Sequence, residues 1–278
     1  MEDHFQNIHP VDPAVIPYID CYYFHTSNNP DLERRLFYYP SYRTALNVYK
    51  NVTVQLEATG RVYQKCDTTR LETVFTNAID HVGYVHLAGD FDKIGVLFNP
   101  YGFNAFLPTT LEDFLKGRKV MHFGGLGADW NEKIEQVFEI DSVSKKRDLL
   151  DGIFKSLLHN TMDDRFFQVL HLIEKQDGNI RLHEISKELG FHRKTITRWC
   201  NKHLGMSFRE YLGIVKFRRT LERFDENEAQ KLVELAYKSN YYDQADFINH
   251  FKSMSSATPK RLFKSLKNMG AKVYWNYS

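Results

Sequence analysis

The sequence predicts an α+β chain: a small N-terminal β-barrel followed by an all-α region in which a helix–turn–helix unit occurs twice. Three observations carry this. The hydrophobic period is two up to about residue 125 and helical from Asp129 onward. Turn residues punctuate the first part at short intervals, as in small all-β folds. A pattern beginning at Ile185 returns at Leu235. With 278 residues, two domains are expected at roughly 150 residues each. The boundaries fall at 1–128 for the β-rich domain, 129–161 for a helical linker and 162–278 for the all-α domain.

In the first part, aromatic and β-branched runs predict strands at Ile19–His25, Leu36–Tyr39, Leu46–Tyr49, Val52–Glu57, Glu72–Thr76, Tyr84–Ala88 and Lys93–Phe98. Val52, Val54 and Leu56 share one side, as do Ile94, Val96 and Phe98, the alternation of a strand packed on a core. Thr109-Thr110-Leu111-Glu112 reads as a capping box opening a short helix that ends before Gly117. In the linker, Ile134, Val137 and Phe138 form one helix face. Leu149, Leu150, Ile153, Phe154, Leu157 and Leu158 form a wider stripe on the next. That stripe serves either as a seam between subunits or as packing on the chain's own β-domain.

Beyond Met162 every run reads as helical. Phe166, Phe167, Leu170 and Ile173 start a helix closed by Asp177-Gly178. Leu182, Ile185 and Leu189 mark another, closed by Gly190. After Phe191-His192 comes Arg193–Lys202, with Ile196 and Cys200 as its buried face. Ser207 and Glu210 form a capping box for a long helix reaching about Phe224. Ile185–Phe191 aligns with Leu235–Tyr241 at an offset of 50 residues. One residue then enters, and at an offset of 51 Ile196 matches Phe247, Cys200 matches Phe251 and Ser207 matches Thr258. Asn240 stands at the turn where the first copy has Gly190, Asn being the next best residue at positive φ. Thr258-Pro259 is an N-cap followed by Pro at the first helical position.

Composition excludes other classes. Hydrophobic residues at 42% and charged residues at 26% describe an ordinary globular chain rather than a disordered one. Cys21, Cys66 and Cys200 are odd in number and lack CxxC spacing, which argues against a disulfide framework or zinc knuckle and fits a reducing cytosol. The acidic start Met1-Glu2-Asp3-His4 leads into no apolar run, so no signal peptide is expected. No segment approaches the ~18 apolar residues of a membrane span. A cytoplasmic protein without membrane contact is expected. The net charge of +2 hides an asymmetry: residues 1–159 carry 16 Lys+Arg against 21 Asp+Glu, and residues 160–278 carry 21 against 14. A basic C-terminal part points to a polyanion partner.

A helix, a tight turn and a second helix at a steep angle can place the second helix in the major groove. With Ile196 and Cys200 inward, the first copy presents Arg193, Lys194, Thr197, Arg198, Asn201 and Lys202 outward with no acid among them. A merely solvated cationic face has the same composition. Duplication on one connecting helix is what favours DNA, since it would set the two reading helices about 34 Å apart, one helical turn.

At this point residues 166–266 resemble the DNA-binding domain of the AraC/XylS family of bacterial transcription regulators. The matching stretches are Ile185–Phe191, Ile196-Thr197-Arg198, Lys202–Leu212, Asp243–Phe247, Phe251-Lys252 and Thr258-Pro259. The resemblance implies double-stranded DNA as partner, RNA polymerase as a further one, and a homodimer. Base-reading positions are expected at Lys194, Thr197 and Arg198 in the first unit and at Gln244, Asp246 and Asn249 in the second. Arg193, Asn201, Lys202, Lys252 and Lys260 are expected on the phosphate backbone. Arg198 stands out because a guanidinium binds guanine O6 and N7 together. Departures lie in the second unit, where Asn249 replaces the family's basic residue and Ser255-Ser256 its aromatic-glycine pair. That unit is expected to bind more weakly.

Asp92–Gly102, the capped helix after it and Val120–Gly125 resemble the β-rich domain that precedes this module in many such regulators. This implies a cupin-like sensory or dimerisation domain with a small-molecule effector. The metal-cupin spacing of His-x-His with a downstream Glu is absent, so His81 and His86 are read as ordinary histidines, and no metal, cofactor or catalytic residue is expected. The aromatic cluster offers Tyr22, Phe24, Tyr38 and Tyr49 as ligand-contact candidates, although such residues also simply fill a small barrel. Two alternatives remain: an alkyl-transfer DNA-repair enzyme with a reactive cysteine, and a DNA-binding dimerisation protein without a ligand. No nucleophile, phosphate-loop, metalloprotease or dinucleotide fingerprint is found.

Overall fold

The computed structural model describes residues 4–57, 60–65, 70–159, 163–226, 231–268 and 274–277. Its β-rich part is two six-stranded sheets. The first sheet holds, in spatial order, β1 (His4–Ile8), β2 (Ile19–Ser27), β9 (Phe91–Phe98), β4 (Thr44–Lys50), β7 (Leu71–Thr76) and β10 (Val120–His122). The second holds β11 (Lys267–Asn268), β12 (Tyr274–Tyr277), β3 (Glu33–Tyr38), β8 (Gly83–Ala88), β6 (Gly60–Lys65) and β5 (Val52–Leu56). Neighbours run antiparallel except β6 with β8. All seven strands expected from the sequence are present, within a few residues of their expected ends.

Two expectations are corrected. The strands do not close into a barrel. The first sheet is covered on one face by helices and on the other by the second sheet, so it buries both faces without closure, and edge strands as short as β10 and β11 leave little backbone exposed. The end of the chain is also not helical. Tyr274-Trp275-Asn276-Tyr277, strand-favouring by its aromatics, pairs with β3 at Trp275↔Tyr38 and Tyr277↔Leu36. The last part of the all-α region thus returns to the β-rich one.

Alternation explains the packing of the first sheet. Tyr22, Phe24, Leu46, Val48, Ile94, Val96 and Phe98 face the helices. Tyr23, Asn47, Tyr49, Lys93 and Leu97, one residue out of step, face the second sheet. Strand β9 is therefore buried on both sides, and its period-two pattern describes only its helix-covered face. The covering helices are α1 (Leu111–Leu115), α2 (Trp130–Phe138) and α3 (Val143–Ser156). The cap of α1 is Thr110, whose Oγ accepts from Asp113 N at 3.2 Å, one residue later than the expected Thr109–Glu112 box.

Helix α3 packs part of its stripe on the β-rich domain. Leu150, Ile153 and Phe154 are buried within the chain. The Phe154 ring lies against Phe106, Phe98 and Tyr22, with centroids 5.3, 5.8 and 6.1 Å away. Asp151 accepts hydrogen bonds from Tyr22 Oη at 2.7 Å and from the Val11 and Asp12 amides at 2.9 Å each. This part of the stripe packs on the chain's own β-domain, while Leu149, Leu157 and Leu158 are half-buried.

The remaining helices are α4 (Asp164–Lys175), α5 (Leu182–Leu189), α6 (Arg193–Leu204), α7 (Phe208–Glu226), α8 (Leu232–Lys238), α9 (Gln244–Ser255) and α10 (Pro259–Ser265). Helix α7, 19 residues and so about 28 Å long, spans two cores. Its Tyr211, Ile214 and Val215 belong to the core shared with the first sheet, and its Phe217 and Leu221 to a separate one around α8, α9 and α10.

Candidate nucleic-acid interface and interior cavity

In the first unit, α5 ends at Gly190, whose φ of 73° is the left-handed conformation a Cβ disfavours. Helix α6 begins three residues later at Arg193, with the cap His192 Nδ1 accepting from Lys194 N at 3.2 Å. Ile196 and Cys200 are fully buried, and Trp199 packs edge-on against Phe191 at 5.4 Å. That packing turns Arg193, Lys194, Arg198, Asn201 and Lys202 to solvent. Thr197 is half-buried, and its hydroxyl donates to Arg193 O at 3.1 Å within the helix. Its oxygen keeps only its acceptor capacity for a partner outside the helix.

The second unit follows the same plan. Asn240 takes φ 57° at the turn. Asp243 caps α9 by accepting from Asp246 N at 2.8 Å. Phe247 and Phe251 are buried, as the repeat requires, and Gln244, Asn249 and Lys252 are exposed. Lys260 is exposed on α10 beside the buried Pro259. Asp246 is exposed too, but its carboxylate turns back to accept from Tyr242 N at 3.2 Å. It completes the cap of α9. Tyr242, 90% exposed at the entry to α9, went unnoticed in the sequence. The signal was there: it occupies the step where the repeat offset changes from 50 to 51.

The C-terminal end of α6 is tied to the β-rich domain. A helix leaves its last carbonyls without internal partners. Here Asn104 Nδ2 donates to His203 O at 2.8 Å, Asn77 Nδ2 to Leu204 O at 3.1 Å and Lys119 Nζ to Gly205 O at 3.3 Å. The His203 ring lies 4.9 Å from that of Tyr101 and 5.7 Å from that of Phe166. Burial, reinforced by the charge of Lys202, holds its pKa down at about 4. In the second unit, burial and the Lys216 ammonium hold His250 at about 4 as well. Lys216 donates to Asn240 O at 2.8 Å and lies over the Tyr241 ring at 4.0 Å.

A cavity of about 120 Å³ lies between the two sheets. Of the four ligand-contact candidates, Tyr38 and Tyr49 line it. Tyr22 and Phe24 do not, because alternation along β2 sends them to the helix-covered face and puts Tyr23 on the cavity wall. Tyr23 and Tyr38 each lie across a glycine on the paired strand: a Cβ on Gly95 would stand 2.0 Å from Tyr23 Cζ, and one on Gly83 2.3 Å from Tyr38 Cζ. The polar lining, Lys93, Arg43, Thr76, Asn77 and Arg218, was also missed. Arg218 comes from α7, so nothing in local sequence connects it with the strands.

Elsewhere, His81 Nδ1 lies 2.8 Å from Asp80 and His86 Nε2 2.5 Å from Glu33. Among the described residues there is no cluster of metal-ligating side chains and no helix long and apolar enough to cross a membrane. Cys21 and Cys200 are buried, and burial pushes both thiols up to about 12. Cys66 lies outside the described residues.

Two capped helix–turn–helix units, each with its second helix outward, define a DNA-binding module. Residues 185–265 match the family model described as a helix-turn-helix domain. This C-terminal segment is a helix-turn-helix domain. No curated protein matches the chain. Among solved structures the chain is similar to ToxT from Vibrio cholerae, at 13% identity over 95% of this chain and 97% of that one, with a TM-score of 0.45. A second ToxT structure, bound to (E)-4-(8-methylnaphthalen-1-yl)but-3-enoic acid, has 14% identity, 95% and 98% coverage and a TM-score of 0.44. A third, bound to an unsaturated fatty acid, has 14% identity, 94% coverage of both chains and a TM-score of 0.43.

Proposed function

We propose that the protein is a sequence-specific DNA-binding transcription regulator, with α6 as the dominant reading helix and the β-rich domain as the seat of a small effector. The observation that carries this is the outward face of α6: four exposed cations and an exposed Asn on a helix whose opposite face is fully buried. Lys194 and Arg198 read base edges, with Thr197 as an acceptor, while Arg193, Asn201 and Lys202 hold phosphates. Gln244 and Asn249 read from α9, and Lys252 and Lys260 anchor that unit to the backbone.

The test is competitive binding of the full chain to single-base variants of a site selected from genomic DNA, at several salt concentrations. Affinity should fall steeply with salt, since each neutralised phosphate releases counterions. A flat salt dependence overturns the reading. For the alkyl-transfer alternative, Cys21 and Cys200 are poor candidates, because buried thiols held at about 12 supply little thiolate.

A further inference from the structure

The outward faces of the two reading helices differ in chemistry, and that difference bears on the bases each can read. The repeat offset of 51 sets Asn249 on α9 where Arg198 stands on α6, and Ala245 where Lys194 stands. Gln244, Ala245 and Asn249 are exposed and neutral, and the basic residue of α9, Lys252, lies in its last turn.

Each base shows its own pattern in the major groove. Guanine is read by Arg or Lys through O6 and N7, and the first two turns of α9 hold neither. His250 in those turns is kept neutral, its pKa held down at about 4, and its Nδ1 lies 2.7 Å from Tyr241 Oη. Cytosine is read by an acid that accepts from N4. Both acids at the start of α9 are engaged in its cap: Asp243 accepts from Asp246 N at 2.8 Å, and Asp246 from Tyr242 N at 3.2 Å. What remains outward is the chemistry of A·T pairs. Amides bond adenine N6 and N7 together, and apolar groups pack on the 5-methyl of thymine.

Tyr242 supplies the largest such group. It is the residue that moves the repeat offset from 50 to 51, so the first unit has no counterpart. It stands immediately before the N-cap Asp243, at the end of a reading helix that meets base edges. Its main chain is fixed by the bond to Asp246, and the residue is 90% exposed.

We propose that the second unit reads A·T base pairs, with Asn249 bonding an adenine through N6 and N7 and Tyr242 packing its ring on the 5-methyl group of a thymine. The target site is then asymmetric, with a G·C pair under α6 and A·T pairs under α9. This deepens the DNA-reading function proposed above and rests on it.

The experiment selects duplexes from a random-sequence library with the full chain, and repeats the selection with Arg198→Ala and Asn249→Ala. The segment whose preference relaxes with Asn249→Ala should be A·T and lie about 10 base pairs from the segment that relaxes with Arg198→Ala. Within it, each thymine is replaced singly by deoxyuridine, which removes the 5-methyl group and keeps the pairing. Each adenine is replaced by 7-deazaadenine, which removes the N7 acceptor. At one thymine the loss of the methyl should weaken wild-type binding about twofold to fourfold, the order expected for one buried methyl. Tyr242→Ala should bind the thymine and uridine duplexes equally. Tyr242→Phe should restore the difference, because the ring rather than the hydroxyl makes the contact. At one adenine, 7-deazaadenine should weaken the wild type about twofold to fourfold and weaken Asn249→Ala no further. Thermal unfolding of each variant at the wild-type temperature separates a lost contact from a lost fold.

A G·C pair required in the second segment overturns the A·T assignment. Uridine tolerated at every thymine, or a uridine penalty that persists in Tyr242→Ala, overturns the role of Tyr242. No segment relaxing with Asn249→Ala, 7-deazaadenine tolerated at every adenine, or a penalty that persists in Asn249→Ala overturns the role of Asn249. These outcomes leave the DNA-reading function standing. Failure of the wild type to enrich any sequence overturns that function and this inference with it.

Discussion

The two helix–turn–helix units share a plan and differ in what holds them. The first is part of the largest core in the molecule: Ile185, Ile196, Trp199 and Cys200 are continuous with Phe75, Phe98 and Phe103 of the β-rich domain and its following turn. The end of its reading helix is capped by Asn104, Asn77 and Lys119, all from that domain. The second unit has its own core of Phe217, Leu221, Leu235, Phe247, Phe251 and Phe263. The β-rich domain reaches it through Tyr39, with Phe37 and Val82 at the margin. Val233, Tyr237 and Tyr242, three of the large exposed hydrophobics among the described residues, lie on this second unit. The first unit thus shares a continuous core with the β-rich domain, whereas the second meets that domain at the margin of its own core and through the β11–β12 strands that follow α10.

Four experiments break or sharpen that contrast. The largest effect is expected at Arg198. Arg198→Ala leaves the buried Ile196–Cys200 face intact, so folding survives. Specific DNA affinity should fall by about 1–3 kcal/mol with relaxed discrimination at one base pair. Asn249→Ala in the second unit should cost less than about 1 kcal/mol, because a neutral amide makes no charge-assisted bond. If Asn249→Ala abolishes site selection and Arg198→Ala does not, the roles of the units are reversed.

Next is the joint between α6 and the β-rich domain. Asn104→Leu removes the donor to His203 O and leaves a part-buried carbonyl unsatisfied, at a cost of about 1–2 kcal/mol in unfolding free energy. Hydrogen exchange should rise at the end of α6 and stay unchanged in α9. Equal loosening of both units contradicts separate anchoring.

Acid should act on both. His203 and His250 are held at about 4, against 6.5 in the unfolded chain. A histidine whose folded pKa is depressed leaves the unfolded state binding more protons between those values. Its contribution is therefore complete above pH 6.5 and is lost as pH falls toward 4. Each histidine should account for about 1–2 kcal/mol over that window, after discounting for its partial exposure. His203→Gln should flatten half of the pH dependence seen in denaturant titrations. An unchanged profile removes His203 from the account.

The smallest effect is at the helix ends. The first reading helix closes on Gly205 at φ 64°, the second on Ser256 at φ 56°. Ser256→Gly should stabilise the protein by about 0.5–1 kcal/mol, because glycine takes this conformation without strain. A rise in melting temperature checks it, and a fall shows that the Ser255–Ser256 turn is held by side-chain bonding instead.

Much of this was legible locally. Strand alternation, the Ser207–Glu210 box, Gly190, Asn240 and Thr258-Pro259 are short-range devices, and each acts where its spacing placed it. The repeat located both reading helices, because the buried i, i+4 pairs Ile196/Cys200 and Phe247/Phe251 determine which residues face outward. Asp246 was harder, since a residue on the outer side of α9 can still turn its carboxylate back to the helix cap. The cavity was hardest. Tyr22 and Phe24 are as aromatic as Tyr23, and only the sheet's orientation decides which parity faces inward.

The sequence by itself determined most of the elements, the duplicated module and the acid-free outer face of α6, because helix period, caps and turn residues act within a few positions along the chain. Only the tertiary structure decided that the sheets stay open, that α3 packs on its own domain and that the chain's end joins β3. It alone brought Arg218 of α7 to a cavity walled by strands more than a hundred residues earlier. Those outcomes depend on which surfaces meet, and contacts between distant segments leave no periodic trace in either one.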